Sequence, residues 1–467
     1  METRNMNHPN SDHKPAAART GSHLAGSVYD GSRAGGVSSP VYGVISTADR
    51  VQVREWAKRW RDLAALPIMA DRKRQWAAVH DLRMERPMIL METSSIQGFV
   101  EASELQCEHP LLRAVERNMR DMVRHAEEVG DDLVVEPYYR IGWQMDLPGF
   151  GVPVEMKPAT TETGETSLGY TFNFPIATPE DIGKLQCRSF GVHRERTLRM
   201  KAVLEDLMGD LLPVRVGNYD PFLVEPGDEG WTGMFFFGLT WQIYRFIGND
   251  GLLYWLCDHP EAIHKLMQYM LDDRLRLFDF MEREDLLVPN TDNQMAGPRG
   301  YGYVSELPGP DVAGPAALKQ MWGWAESQET TMVSPAMFKE FFLPYLAKLS
   351  ECFGLIYYGC CEPVHDRLDL IMKAIPNLRS VSVSGWADFQ KIGDMLGDKY
   401  VYSRKPTPVF LSGPNPQWES VESDMKKTRA ATKHCNVEIL FRDLYTIDGD
   451  RSRLRKWVEM TRSIFGI

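Results

Sequence analysis

The chain has 467 residues, 43% hydrophobic and 25% charged, enough apolar sequence to bury a large core. A net charge of -11 speaks against nucleic acid as a partner, because phosphate binding relies on clustered Lys and Arg. The seven cysteines do not read as a disulfide framework, no charged, apolar, cleavable leader stands at the N-terminus, and no apolar run reaches membrane-spanning length; the expectation is a cytoplasmic protein without membrane partners.

Residues 1–47 are rich in Ser, Gly, Ala, Asn and His without an apolar period, which predicts a disordered tail ahead of one domain over 48–467. From Ala48 the spacing of Val51, Val53, Trp56, Ala57, Trp60 and Leu63 is helical. The run Met88-Ile89-Leu90-Met91 then reads as a strand that ends at Glu92. An amphipathic helix follows on Leu111, Leu112, Val115, Met119, Met122 and Val123, and a second strand is expected over Asp132–Pro137, with Glu136 near its end. The Gly-, Pro- and Thr-rich stretch Tyr138–Thr171 suits an excursion over one end of the fold. Leu211–Gly217 reads as a strand, helices are expected around 252–256 and 260–281, and Leu286–Asn293 as a strand closing on Asp292 and Asn293. Met321–Ala325 delivers Glu326, and Phe353–Tyr358 delivers Cys360-Cys361-Glu362. Strands over Leu378–Ser384, Tyr400–Pro406 (carrying Arg404) and Asn436–Phe441 alternate with helical sequence to the end.

Strand, helix, strand, helix is the pattern of parallel β/α architecture, and about eight such strands favour a (β/α)8 TIM barrel, whose active sites lie at the C-terminal strand ends. Glu92, Glu326 and Asp292 fall at such ends and are the candidate catalytic acids. Asn293, Arg404, Trp324 and Tyr358 are the candidate substrate-binding residues; Arg404 suits an anionic group, and Trp322 and Trp324 share one side of a strand where aromatic walls could line a pocket. Cys360, Cys361 and Glu362 are candidate metal ligands, although adjacent cysteines also suit burial as small hydrophobes. Glu329, three residues after Glu326, reads as a charge at a helix start.

The blocks Ala325-Glu326-Ser327-Gln328-Glu329, Val333-Ser334-Pro335-Ala336-Met337-Phe338, Tyr358-Gly359-Cys360-Cys361-Glu362-Pro363, Asp366-Arg367-Leu368-Asp369 and Tyr402-Ser403-Arg404-Lys405-Pro406 together resemble the uroporphyrinogen decarboxylase superfamily, and within it the branch of corrinoid (cobalamin)-dependent methyltransferases. The resemblance runs from about Arg54 to the C-terminus. It implies methyl transfer between a small methylated substrate and a corrinoid, carried on a separate corrinoid protein because no Asp-x-His-x-x-Gly motif is present. Zinc enzymes of this branch use a His-x-Cys pair; here Tyr358, Gly359 and Cys360 stand at those positions, so Cys361, Glu362 or Glu326 would have to complete a zinc site. The arginine-rich block that grips porphyrinogen carboxylates is replaced by Met88-Ile89-Leu90-Met91-Glu92-Thr93, where an acid would repel such a substrate. Decarboxylation stays as an alternative if Arg140, Arg215 or Arg404 converge on the pocket, and a non-catalytic corrinoid- or ligand-binding barrel is a second.

Overall fold

Short apolar and aromatic runs pair side by side in a computed structural model of the chain, which describes residues 44–160, 166–218, 235–312 and 314–467. Six of them, Met88–Met91, Asn436–Phe441, Val401–Arg404, Leu378–Val383, Leu355–Tyr358 and Trp322–Ala325, form one sheet in that spatial order. Every pairing is parallel, from Met88 opposite Glu438 at one side to Trp324 opposite Tyr357 at the other. Parallel neighbours need crossovers, and helices Leu368–Ala374, Phe389–Leu396, Trp418–Ala431 and Ser452–Phe465 belong to the stretches between and after the strands.

Side chains on a strand alternate between faces. Ile89, Met91, Ala325, Ile356, Tyr358, Val381, Val383, Tyr402, Val437, Ile439 and Phe441 pack into the main core with the crossover helices. The opposite face carries Trp324 and Tyr357 in a separate aromatic cluster, Met88, Leu90, Val401 and Leu440 in a second core, and the buried polar residues Ser380, Ser382, Ser403 and Glu438.

The eight-strand count contracts to this six-stranded parallel sheet. Asp132–Pro137 forms no ladder, because side chains replace it: Asp131 and Asp132 carboxylates accept from the backbone N–H groups of Met91 and Ile89, each at 2.8 Å. In place of a strand over Leu286–Asn293, the Asn218 amide clasps the Val288 backbone and the Asn290 amide clasps that of Trp322. Phe235 and Phe237 bond the backbone of Trp324 at 3.0 and 2.9 Å, which covers the other sheet edge. Tyr139–Gly142 and Val214–Gly217 form a separate parallel pair, and the Tyr138–Thr171 excursion includes the antiparallel pairing of Met156–Thr160 with Thr166–Phe172. Most of the expected tail lies outside the described residues; the first helix, Thr47–Ala64, begins where Ser46 Oγ accepts from Asp49 N at 3.0 Å. Among the described residues no helix is long and apolar enough to cross a membrane.

Candidate functional site

The strand Leu355–Tyr358 ends in a sharp turn at Gly359, whose φ of 103° is a region open to glycine, and a Cβ there would meet the Ser382 Cβ at 2.9 Å. The turn sends Glu362 back over the strand tips. Its carboxylate accepts from Cys360 N at 2.8 Å and Ser327 N at 3.1 Å, tying the tips of two neighbouring strands together. Ser382 Oγ donates to the Cys360 carbonyl at 2.6 Å, adding the third strand. Cys360 Sγ and Cys361 Sγ lie 3.7 Å apart, the first half-buried and the second exposed.

Beside this turn, Glu326 is 2% exposed. One of its oxygens accepts from Gln328 N at 2.8 Å, while Oε1 is buried without a hydrogen-bond partner. Burial, then the charges of Glu329 and Glu362, push the Glu326 carboxyl well above the usual range. Glu329 accepts from Thr240 Oγ1 at 2.7 Å, and burial raises it to about 7. Burial raises Glu362 as well, against the backbone hydrogen bonds it accepts. On the next strands Lys405 Nζ donates to Ser403 Oγ at 2.6 Å and lies 5.4 Å from the Tyr357 ring centroid; burial lowers it to about 7. Glu92 is engaged by Arg442 at 2.6 and 3.1 Å.

Aromatic rings wall the same end. Phe236 and Trp324 stand 4.2 Å apart between centroids, and with Tyr357 they form a cluster against which Trp241 and Cys360 pack. Trp324 Nε1 donates to the Gly359 carbonyl at 3.1 Å, joining the wall to the turn. Deeper on this face, Glu438 is fully buried, contacting His80 at 3.1 Å and accepting from Gly300 N at 3.2 Å. Burial, then Arg299, pushes the His80 imidazole down, so Arg299 is the lasting cation against Glu438.

The structure therefore gathers Glu326, Cys360, Cys361, Glu362 and Trp324 at one end of the sheet. Glu92 stands at a tip of the same sheet, paired with Arg442, which Asp443 and the Cys360 thiol also approach. Tyr358 reaches the same group from the core side, where the charges of Glu362 and Glu326 bear on it, and Arg404 is placed elsewhere. Tyr358 packs into the main core, and Arg404 is buried against Asp424 at 2.6 Å, Thr428 at 3.0 Å and the Phe389 ring, because strand alternation turns it away from Ser403 and Lys405. Asp292 accepts from Tyr138 at 2.6 Å and from Arg140, and Asn293 donates to the Val134 carbonyl at 3.2 Å. Asp292 lines a different cleft of about 410 Å³ with Arg140 and Arg215. Of the three arginines, Arg140 and Arg215 share that cleft, and Arg404 is buried against Asp424.

Among the described residues no three His, Cys, Asp or Glu side chains gather to hold a metal. Both Glu362 oxygens are taken by backbone N–H groups, and Cys435, at 6% exposure, donates to the Gly393 carbonyl at 3.4 Å. The residues present do not assemble the zinc set that the resemblance implies. Sequence reading passed over Arg442, offered Lys405 only together with Arg404, and took Glu329 for a helix-start charge; the two-residue alternation of the strands was the signal that separates Lys405, which shares a face with Ser403.

No family model matches the chain, and no curated protein matches it. Among solved structures, a methyltransferase from Methanosarcina mazei superposes with a TM-score of 0.44 at 12% identity, over 85% of this chain and 99% of that one. A likeness that loose carries no argument here.

Proposed function

We propose that this chain is a methyltransferase of the uroporphyrinogen decarboxylase superfamily that passes a methyl group from a small methylated substrate to a corrinoid borne by a separate cytoplasmic protein. The sheet would be the larger part of a (β/α)8 barrel, with the segments tied on by Asp131, Asp132, Asn218 and Asn290 standing where further strands close the ring. The observation that carries the reading is Glu326, a buried carboxyl with one unpartnered oxygen beside a thiol pair and an aromatic wall at the tips of a parallel sheet.

The corrinoid, as second substrate, supplies the nucleophilic cobalt. Glu326 engages the methyl-bearing heteroatom. It gives its proton to a neutral heteroatom as the carbon–heteroatom bond breaks and the electron pair stays behind, or it faces a heteroatom that already carries positive charge. Trp324, Phe236 and Tyr357 exclude water and fix the methyl group in line for displacement, and Glu92 positions Arg442 at the rim.

The test is anaerobic incubation of the protein with reduced cobalamin and a panel of methylated ethers, thioethers and amines, following methylation of the cobalt by absorbance. Glu326→Gln should lower the rate about a hundredfold. Failure of every donor, or an unimpaired Glu326→Gln variant, would sink the proposal.

A further inference from the structure

The arrangement around Glu326 also narrows the class of methyl donor, on the assumption that the reading above holds. We infer that Trp241, Tyr244, Phe236 and Trp324, together with Glu326 and Glu329, form a cage for a methylated ammonium group.

Several independent contacts place these side chains together. Trp241 packs against the cluster of Phe236, Trp324 and Tyr357 that also receives Cys360. The ring centroids of Trp241 and Tyr244 are 5.7 Å apart, and Phe172 stands 5.8 Å from Trp241 and 6.0 Å from Tyr244. Thr240, next to Trp241 in sequence, donates its hydroxyl to Glu329 at 2.7 Å, and the Glu329 charge bears on the Tyr244 ring of the same set. Glu326 lies two residues beyond Trp324 on the same strand parity, with Oε1 buried and unpartnered.

The charges that bear most on Glu326 are those of Glu329, Glu362 and Cys361, all acidic. An uncompensated group of acids in a largely buried site invites a cation. A compact metal ion is a poor occupant, because no three ligand side chains converge among the described residues. A methylated ammonium spreads its charge over methyl groups and needs ring faces and distant carboxylates instead of direct ligands. Phe172, which flanks Trp241 and Tyr244, already receives one cation, with Arg245 5.2 Å from its centroid. In the transfer itself, one C–N bond breaks, its electron pair stays on nitrogen to leave a neutral tertiary amine, and the methyl carbon bonds to the reduced cobalt of the corrinoid, so no proton is required.

Calorimetric titration of the full chain with choline, and with its neutral isostere in which a tert-butyl group replaces the trimethylammonium, tests the cage without any turnover. Choline should bind at least about tenfold more tightly than the isostere. Glu329→Gln and Trp241→Leu should each weaken choline binding about tenfold in variants that circular dichroism shows to be folded at the temperature of the titration. Equal binding of the two compounds, or no binding of choline, would overturn the cage. Choline binding without methylation of cobalamin by any donor keeps the cage and removes the methyltransferase, whereas methylation from neutral ethers without choline binding does the reverse.

Discussion

Glu438 stands within one parallel sheet and Glu326 just past the end of one of its strands, and they are almost equally hidden, at 0% and 2% exposure, yet they behave in opposite ways. Burial alone would raise both. At Glu438 that push is overcome by the His80 hydrogen bond and by the Arg299 cation, with Lys405 adding to them where it is charged, and the carboxyl is held at about 2. At Glu326 the neighbours are Glu329 and Glu362, which add to burial, and the carboxyl is driven well above its usual range. Burial sets the size of the penalty and the neighbours set its direction. On the floor the Glu438 charge faces cations, with the Arg299 guanidinium 3.6 Å from the Trp322 ring centroid and its Nε and Nη1 without hydrogen-bond partners, whereas the charges that bear most on Glu326 are acidic and its Oε1 is unpartnered. Groups left in that condition mark a site more often than a scaffold.

The sharpest way to break the contrast is to remove the floor acid. Glu438→Ala strands Arg299 and Lys405 in a buried environment and should cost about 3–5 kcal/mol in chemical denaturation. A cost no larger than that of a surface substitution would mean that the floor is not held by charge.

The pH dependence separates the two regions by sign. Glu329 rises from 4.5 to about 7 on folding, so its contribution to stability is fully present below pH 4.5 and is lost as pH climbs toward 7. Glu438 falls from 4.5 to about 2, so its contribution is present above pH 4.5 and is lost as pH drops toward 2. Glu329→Gln should therefore match the parent at pH 4 and exceed it at pH 8, by on the order of 2 kcal/mol. Denaturation midpoints measured across that range decide the matter, and parallel curves for parent and variant would contradict the assignment of Glu329 to the uncompensated rim.

The chemistry of the rim was partly legible because period-two alternation and strand ends are local signals. Leu355–Tyr358 running into Cys360-Cys361-Glu362, and Trp324 leading to Glu326, stand out from neighbouring residues alone. What Glu362 does was not legible, since its carboxylate turns back through the Gly359 bend to reach Ser327, 35 residues away in sequence. Nor was Glu329, whose partner Thr240 is 89 residues distant. Arg404 and Lys405 are adjacent and both cationic, so choosing between them required the register of the strand; Arg404 faces Asp424 and Lys405 faces Ser403. The expected strand at Asp132–Pro137 misled for a different reason. Its apolar residues are buried as in a strand, but the bonds to Met88–Met91 are made largely by the Asp131 and Asp132 side chains, which hydrophobic patterning does not register.

The smallest expected effect concerns the thiols. Cys360 and Cys361 are adjacent in sequence and 3.7 Å apart at sulfur, but they divide one hydrogen bond unequally. That bond raises the Cys360 thiol and, with help from Arg442, lowers that of Cys361 despite the nearby Asp443 and Glu362. A thiolate is the reactive form, so Cys361 should be alkylated by iodoacetamide several-fold faster than Cys187 and Cys257, which are also exposed. Cys360→Ala removes the donor and should bring Cys361 back to the rate of those two, as read by peptide mass spectrometry under reducing conditions. If Cys361 already reacts no faster in the parent, the pair shares no proton bias, and the rim's selectivity lies in its carboxylates and not in its sulfurs.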